Sequence, residues 1–133
     1  VIREHYEAVK EMIPSGFTVY LFDTPATVTY PYVVVWGDAG QDTTEALGGP
    51  LDEFTADGRV TCVGANYASC LIVAQAVRNA LNRNSPVVSG RHCQPLRLSP
   101  ALDIQSDDTV TLPGTGTHPI FCVDEFTIQS EPS

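Results

Sequence analysis

Arg59-Val-Thr-Cys-Val-Gly-Ala65, then Asn66-Tyr-Ala-Ser69, then Cys70-Leu-Ile-Val-Ala-Gln-Ala-Val-Arg-Asn-Ala-Leu-Asn-Arg83 is the stretch whose reading decides the fold. Its first part predicts a strand. Val60, Cys62 and Gly64 alternate with Thr61, Val63 and Ala65, and successive strand side chains point to opposite faces. Asn66 or Ser69 is placed to cap the following helix, since a short side-chain oxygen satisfies an orphan N–H of the first turn. Cys70, Ala74, Val77 and Leu81 recur at spacings of four, three and four, which makes one apolar helical face. Leu71, Ile72, Val73, Ala76 and Ala80 carry apolar character well beyond that face. Such a helix is expected to be covered on more than one side, and in a small domain the second cover can be another subunit. Asn84-Ser85-Pro86 ends the helix, with Asn84 as the expected left-handed cap.

Upstream, Ile2, Tyr6, Val9 and Ile13 form the apolar stripe of an N-terminal helix, with Arg3, Glu4, Glu7, Lys10 and Glu11 toward water. Pro14-Ser15-Gly16 stops it. Phe17–Phe22 alternates as a strand and Asp23-Thr24-Pro25 breaks it. Tyr32-Val-Val-Val-Trp36 is β-branched and aromatic without polar alternation, as suits a strand buried on both faces. Residues 37–58 carry six acids (Asp38, Asp42, Glu45, Asp52, Glu53, Asp57) and several glycines, with the two sides of Gly48-Gly49-Pro50 able to pair as a long hairpin. This excursion is expected to be an extended loop, mobile in the free subunit and ordered on assembly. Downstream, Gln94–Leu98 and Ala101–Gln105 read as short strands, 106–119 as a second extended loop, and Pro119–Ile128 as a closing strand with Ile120, Cys122, Asp124 and Phe126 on one side. The 133 residues thus predict a single α+β domain: a mainly antiparallel sheet of about five to seven strands, with two helices on one face.

A net charge of −9 conceals strong segregation. Residues 1–58 hold ten acids and two bases, residues 59–97 hold five arginines and no acid, and residues 98–133 hold six acids and no base. An acidic whole disfavours tight nucleic-acid binding. No run of about 18 apolar residues occurs, so no membrane span is expected, and the N-terminus lacks a signal-peptide pattern. Val1 in place of Met points to a processed or trimmed start.

No catalytic pattern emerges. Gly64-Ala-Asn-Tyr-Ala is not a nucleophile elbow, and Gly114-Thr-Gly-Thr-His-Pro lacks the Lys of a phosphate loop. Asp107-Asp108 and Asp124-Glu125 are sequence neighbours that would point apart on a strand, and read as solvated charges. Cys62, Cys70, Cys93 and Cys122 lack a Cys-x-x-Cys pair, and are expected to stay reduced as small hydrophobes. His92, Cys93, His118 and Cys122 are the residues a zinc ion would use, but without a paired knuckle no metal, no cofactor and no enzymatic activity are expected.

The amphipathic helix ending Ile13-Pro-Ser-Gly, the Pro31-Tyr32-Val-Val-Val strand before an acidic, glycine-rich excursion, and the Arg59–Ala65 strand running into the helix ending Val77-Arg-Asn-Ala-Leu81 follow a recognisable order. Gly90-Arg91, the Pro95-Leu-Arg-Leu98 segment and Phe121-Cys-Val-Asp-Glu-Phe126 complete it. This order resembles the tail terminator proteins of long-tailed phages of actinobacteria and their relatives, over roughly residues 2–129. The resemblance implies a hexameric ring that caps a finished tail tube, ends its growth and presents a surface to the head–tail connector, with DNA passing unbound through the lumen. Its partners would be copies of itself, the tail-tube protein and the connector; its location, the head-proximal end of the tail. Another connector, the tail-tube subunit, a nucleic-acid module built on Arg59–Arg97, or a small enzyme using His5, His92 or His118 are the competing readings. A cyclic ring needs two different complementary patches on each subunit. The charge pattern therefore predicts Arg78, Arg83 or Arg91 of one subunit against Asp38, Asp42, Asp52, Glu53 or Asp57 of the next.

Overall fold

The strand expected at Arg59–Ala65 is one end of a longer one. The computed structural model describes residues 1–43 and 53–133. In chain order its elements are α1 (Ile2–Met12), β1 (Thr18–Leu21), β2 (Tyr32–Gly37), β3 (Gln41–Thr43), β4 (Glu53–Gly64), α2 (Tyr67–Leu81), β5 (Arg91–Cys93), β6 (Ser99–Ser106) and β7 (Ile120–Pro132). β4 and β7 pair antiparallel along almost their whole length, from Phe54↔Ser130 to Gly64↔Ile120, and form the axis of the sheet. The far edge of β4 is shared by β2, opposite 58–63, and β3, opposite 53–55. The far edge of β7 is likewise shared by β6 and β5. β1 lies outside β2 and is parallel to it, in an otherwise antiparallel sheet.

One face of this sheet is covered. Phe54, Ala56, Val60 and Cys62 of β4 and Ile120, Cys122, Phe126 and Ile128 of β7 point into it with Val33 and Val35. They meet Tyr6 and Val9 of α1, Ile13 just after it, and Cys70, Val73, Val77 and Leu81 of α2, so both helices cover the same side. Phe126 lies against Gly58, its cross-strand partner: a Cβ on Gly58 would stand 2.4 Å from the ring. Asn66 caps α2, its Oδ1 accepting from Ser69 N at 2.9 Å. At the other end it is Arg83, not Asn84, that takes the left-handed conformation (φ 67°). Arg83 N donates to Leu96 O and Leu96 N to Asn84 O, which fixes the chain's exit, while the Asn84 amide turns back to Ala80 O.

Four expectations need correction. The excursion at 37–58 is not a loop throughout: β2 runs to Gly37, 41–43 is strand, and 53–58 belongs to β4 with Phe54 and Ala56 fully buried. The paired arms of the hairpin are present, and the tip at 44–52 lies outside the described residues. Gln94–Leu98 is not a strand; β5 precedes it and β6 follows it, because Pro95 has no N–H for a ladder and Leu96 is bonded to the end of α2. β2 is buried on one face only. Tyr32, Val34 and Trp36 are half-exposed, with Tyr32 against Tyr20 and Tyr30 and Trp36 under the Arg59 guanidinium. Finally, Asp124 is not solvated: it is buried beneath α2.

His5 stitches α1 to the sheet. Its Nδ1 bonds the Val1 carbonyl and its Nε2 lies 2.6 Å from Ser130 Oγ, which also accepts from Arg91 Nε at 2.9 Å. The ring packs on Phe54. Burial holds His5 below the usual imidazole value of 6.5, against the opposing pull of the Val1 carbonyl, with the Arg91 cation adding to the depression. The unfolded chain therefore binds a proton that the folded one refuses. His5 contributes full stability above about pH 6.5 and loses it as pH falls below that, at up to about 1.4 kcal/mol per pH unit. Urea midpoints measured across this range should fall with acidification in the wild type, and more shallowly in His5→Gln.

Candidate subunit interface

α2 was expected to be over-apolar for a helix with one buried face, and its outer side bears this out. Tyr67, Leu71 and Ile72 are 57%, 52% and 64% exposed. Leu71 continues into a groove of about 190 Å3 between α2 and β6, lined also by Ala74, Pro100, Leu102 and Ile104. Leu102 stands exposed at its border. The 3.6-residue period placed Leu71 and Ile72 outside the core; the β6 side was missed, because Leu102 and Ile104 lie on a strand with bulged register. Burying Leu71 and Ile72 fully against a neighbour would contribute roughly 1.5–3 kcal/mol each.

The charged residues are distributed unevenly. Arg78 is engaged within its own chain: Nε and Nη2 donate to the two Asp124 carboxylate oxygens at 2.8 and 2.9 Å. Its guanidinium is thus shared with a buried carboxylate, while its outer side stays 47% exposed. Arg91 donates to Ser130, and Arg59 lies over Trp36 at 5.4 Å. Arg83 and Arg97 are exposed and have no ion-pair partner among the described residues. Three of the five arginines are thus occupied, which weakens a nucleic-acid surface built on them. Of the acids, Asp38 accepts from Gly40 N and Asp57 N across the β2–β3 bend, and Asp57 accepts from Thr127 Oγ1, so both brace the sheet while remaining exposed. Glu53 is half-buried beside Arg97, Gln129 and Glu131 in a trough of about 600 Å3 on the open face of the sheet. The trough continues past Arg97 and Thr127 toward Asp57, Arg59 and Glu125. Asp52 lies outside the described residues, as does the side chain of Asp42.

The candidate zinc ligands His92, Cys93, His118 and Cys122 do not converge on one centre. Cys93 packs with Ala8 and Val88, Cys122 sits in the main core, and His118 Nδ1 is taken by Val110 O within the 107–119 loop. His5 and Ser130 have the polarity of a base and its nucleophile, and both are buried, at 0% and 2% exposure.

No family model matches this chain, and no curated protein matches it in sequence. Among solved structures it is similar to a chain of the virion of a native gene transfer agent particle, with a TM-score of 0.59 and 18% identity over 93% of each chain. At that identity the likeness is one of fold. A second solved chain, 15% identical over 96% of this one and 89% of its own length, reaches a TM-score of 0.49.

Proposed function

We propose that this chain is a structural virion subunit of a tailed phage or phage-like particle, and that it forms the ring capping the finished tail tube. The observation that carries the reading is the fold shared with a gene transfer agent virion chain over 93% of both molecules. The order of elements, which resembles tail terminators, supplies the finer role. Supporting it further, α2 leaves Tyr67, Leu71 and Ile72 uncovered in the single chain, as a subunit built for assembly would. On this reading the subunit is not an enzyme. It closes on copies of itself, most simply six, contacts the tail-tube protein on one side and the head–tail connector on the other, and lets DNA through a lumen that an acidic chain keeps repulsive.

Ring closure then rests on the apolar side of α2 and the α2–β6 groove, with exposed Arg83 setting orientation and association rate toward the acids of the neighbour. Native mass and negative-stain images of the purified protein should give a closed ring. Leu71→Glu with Ile72→Glu should leave a folded monomer, since both side chains are more than half exposed in the single chain, yet abolish the ring. Arg83→Glu should slow assembly at low salt and lose that effect at high salt. Added to polymerising tail-tube protein, the wild type should cap tubes at fixed length. A chain that binds a portal ring but leaves tube growth untouched belongs instead to the connectors.

A further inference from the structure

Three of the four cysteines lie together under α2. Cys62 and Cys122 are direct cross-strand partners of β4 and β7, on the helix-covered face. Directly opposed antiparallel residues have Cα atoms about 4.5–5.5 Å apart, whichever type of pair they form, and disulfides span roughly 4.4–6.8 Å. Cys70, from the first turn of α2, reaches the same spot, its Sγ 3.5 Å from Cys62 O. All three thiols are free and buried. Cys62 and Cys70 are 1% and 0% exposed, whereas Cys122 is 7% exposed and lines the α2–β6 groove together with Arg78.

We propose that Cys122 and Cys62 are an oxidisable pair, with Cys122 the sulfur that a small hydroperoxide meets first and Cys62 the sulfur that resolves it into a cross-strand disulfide. The groove, about 190 Å3, has room for a molecule as small as hydrogen peroxide. Hydrogen bonding from Cys62, then from Cys70, and the nearby Arg78 cation hold the Cys122 thiol below its usual range, against the opposing effect of burial. The same contact, with burial, holds Cys62 and Cys70 above theirs. Cys122 is thus both the sulfur that opens to the groove and the one its neighbours favour as the thiolate, the form that reacts.

The chemistry balances with peroxide as the sole oxidant. The Cys122 thiolate attacks one peroxide oxygen; an S–O bond forms, the O–O bond breaks, and the departing hydroxide leaves as water with the proton released by the thiol. Cys62 sulfur then attacks the Cys122 sulfenic sulfur; the S–S bond forms, the S–O bond breaks, and hydroxide leaves as a second water with the Cys62 proton. Two thiols become one disulfide and one peroxide becomes two waters. The product would join the two longest strands covalently. For a particle assembled in a reducing cytoplasm and released into aerobic medium, such a bond forms after assembly. The thiol chemistry itself stands whether or not the ring reading holds.

The test is peptide mapping of the folded wild-type chain after brief exposure to excess hydrogen peroxide, with remaining thiols alkylated under denaturing conditions. The expected result is a Cys62–Cys122 linked peptide and a whole-chain mass lower by two hydrogens, with Cys70 and Cys93 still alkylated. Cys62→Ser should stop at a Cys122 sulfenic acid, trapped by dimedone, and Cys93→Ser should behave as wild type. Oxidation first at Cys93, a link made by Cys70 in place of Cys62, or a wild type that keeps all four thiols until it unfolds overturns the proposal. The wild-type mapping needs no variant to fold.

Discussion

Gly64→Ala is expected to cost about 3 kcal/mol or more, and to lower the melting temperature by roughly 10 °C. Gly64 ends β4 where the chain turns through Ala65 and Asn66 into α2. A Cβ there would stand 2.4 Å from Cys70 N and 2.9 Å from both Cys70 Cα and the Ser69 carbonyl carbon. These are backbone atoms of the first turn of the helix, so no side chain can swing aside to make room. Either the strand end or the whole N-terminal turn of α2 must withdraw. Cys70, Val73, Ala74, Val77 and Leu81 are the buried residues of that helix, and a shift at its base loosens all of them against β4 and β7. Gly16→Ala is the matched control: nothing lies within 4 Å of its would-be Cβ and its φ is ordinary, so the change should be neutral or slightly stabilising. Thermal melts of the two variants beside the wild type measure the difference. If Gly64→Ala melts with Gly16→Ala, the close approach of β4 to α2 does not govern stability.

The same short turn explains why the fold was legible at its centre. Between Arg59 and Leu81 each local signal agreed with the next: strand alternation, an Asn cap, and helical spacing of Cys70, Ala74, Val77 and Leu81. α1 was equally plain, with Tyr6, Val9 and Ile13 buried as their period required. Legibility failed where charge or glycine interrupted a period. In 53–58 the buried residues are Phe54, Ala56 and Gly58, and the two acids Glu53 and Asp57 sit on the opposite face. The alternation was present, but small inward residues and outward acids gave it the composition of a loop. Pairing to β7 supplies the ordering energy, and β7 is more than sixty residues away. The parallel β1–β2 pair was hidden for a related reason: nothing within either strand reports the direction of its partner.

The candidate interface was half legible. An excess of apolar residues on the second helix foretold an uncovered side, and Tyr67, Leu71 and Ile72 supply it. Which arginines remain available was not readable. Arg78 in the last turn of α2 and Arg83 just past its end share one charge, yet one pairs with a buried carboxylate and the other is exposed without an ion-pair partner among the described residues. That difference is set by Asp124, a residue whose inward position the alternation with Ile120, Cys122 and Phe126 did indicate. Its charge argued for solvent, and only a tertiary partner reconciles the two signals.

Arg78→Leu should therefore destabilise the monomer itself, by about 2–3 kcal/mol, before any question of assembly arises. The Asp124 side chain is 4% exposed and both its oxygens are held by the Arg78 guanidinium at 2.8 and 2.9 Å. Breaking a buried pair by removing one partner costs about 3–5 kcal/mol, because a charge is left in low dielectric without compensation. Here the guanidinium is 47% exposed, so water already competes at one side and the lower end applies. The reverse deletion is gentler. Asp124→Leu removes the buried charge and leaves Arg78 free to reach solvent, at an expected cost of about 1 kcal/mol. The double variant Arg78→Leu/Asp124→Leu should recover most of the loss seen in Arg78→Leu alone, since two apolar groups replace a pair whose desolvation offsets its attraction, and the groove beside Asp124 takes up the larger Leu side chain. Urea denaturation of the four proteins closes the cycle. Equal losses for the two single variants would mean that the carboxylate is not the costly partner. An Arg78→Leu chain with wild-type monomer stability and no ring would instead return Arg78 to the subunit interface, where the charge pattern of the sequence first placed it.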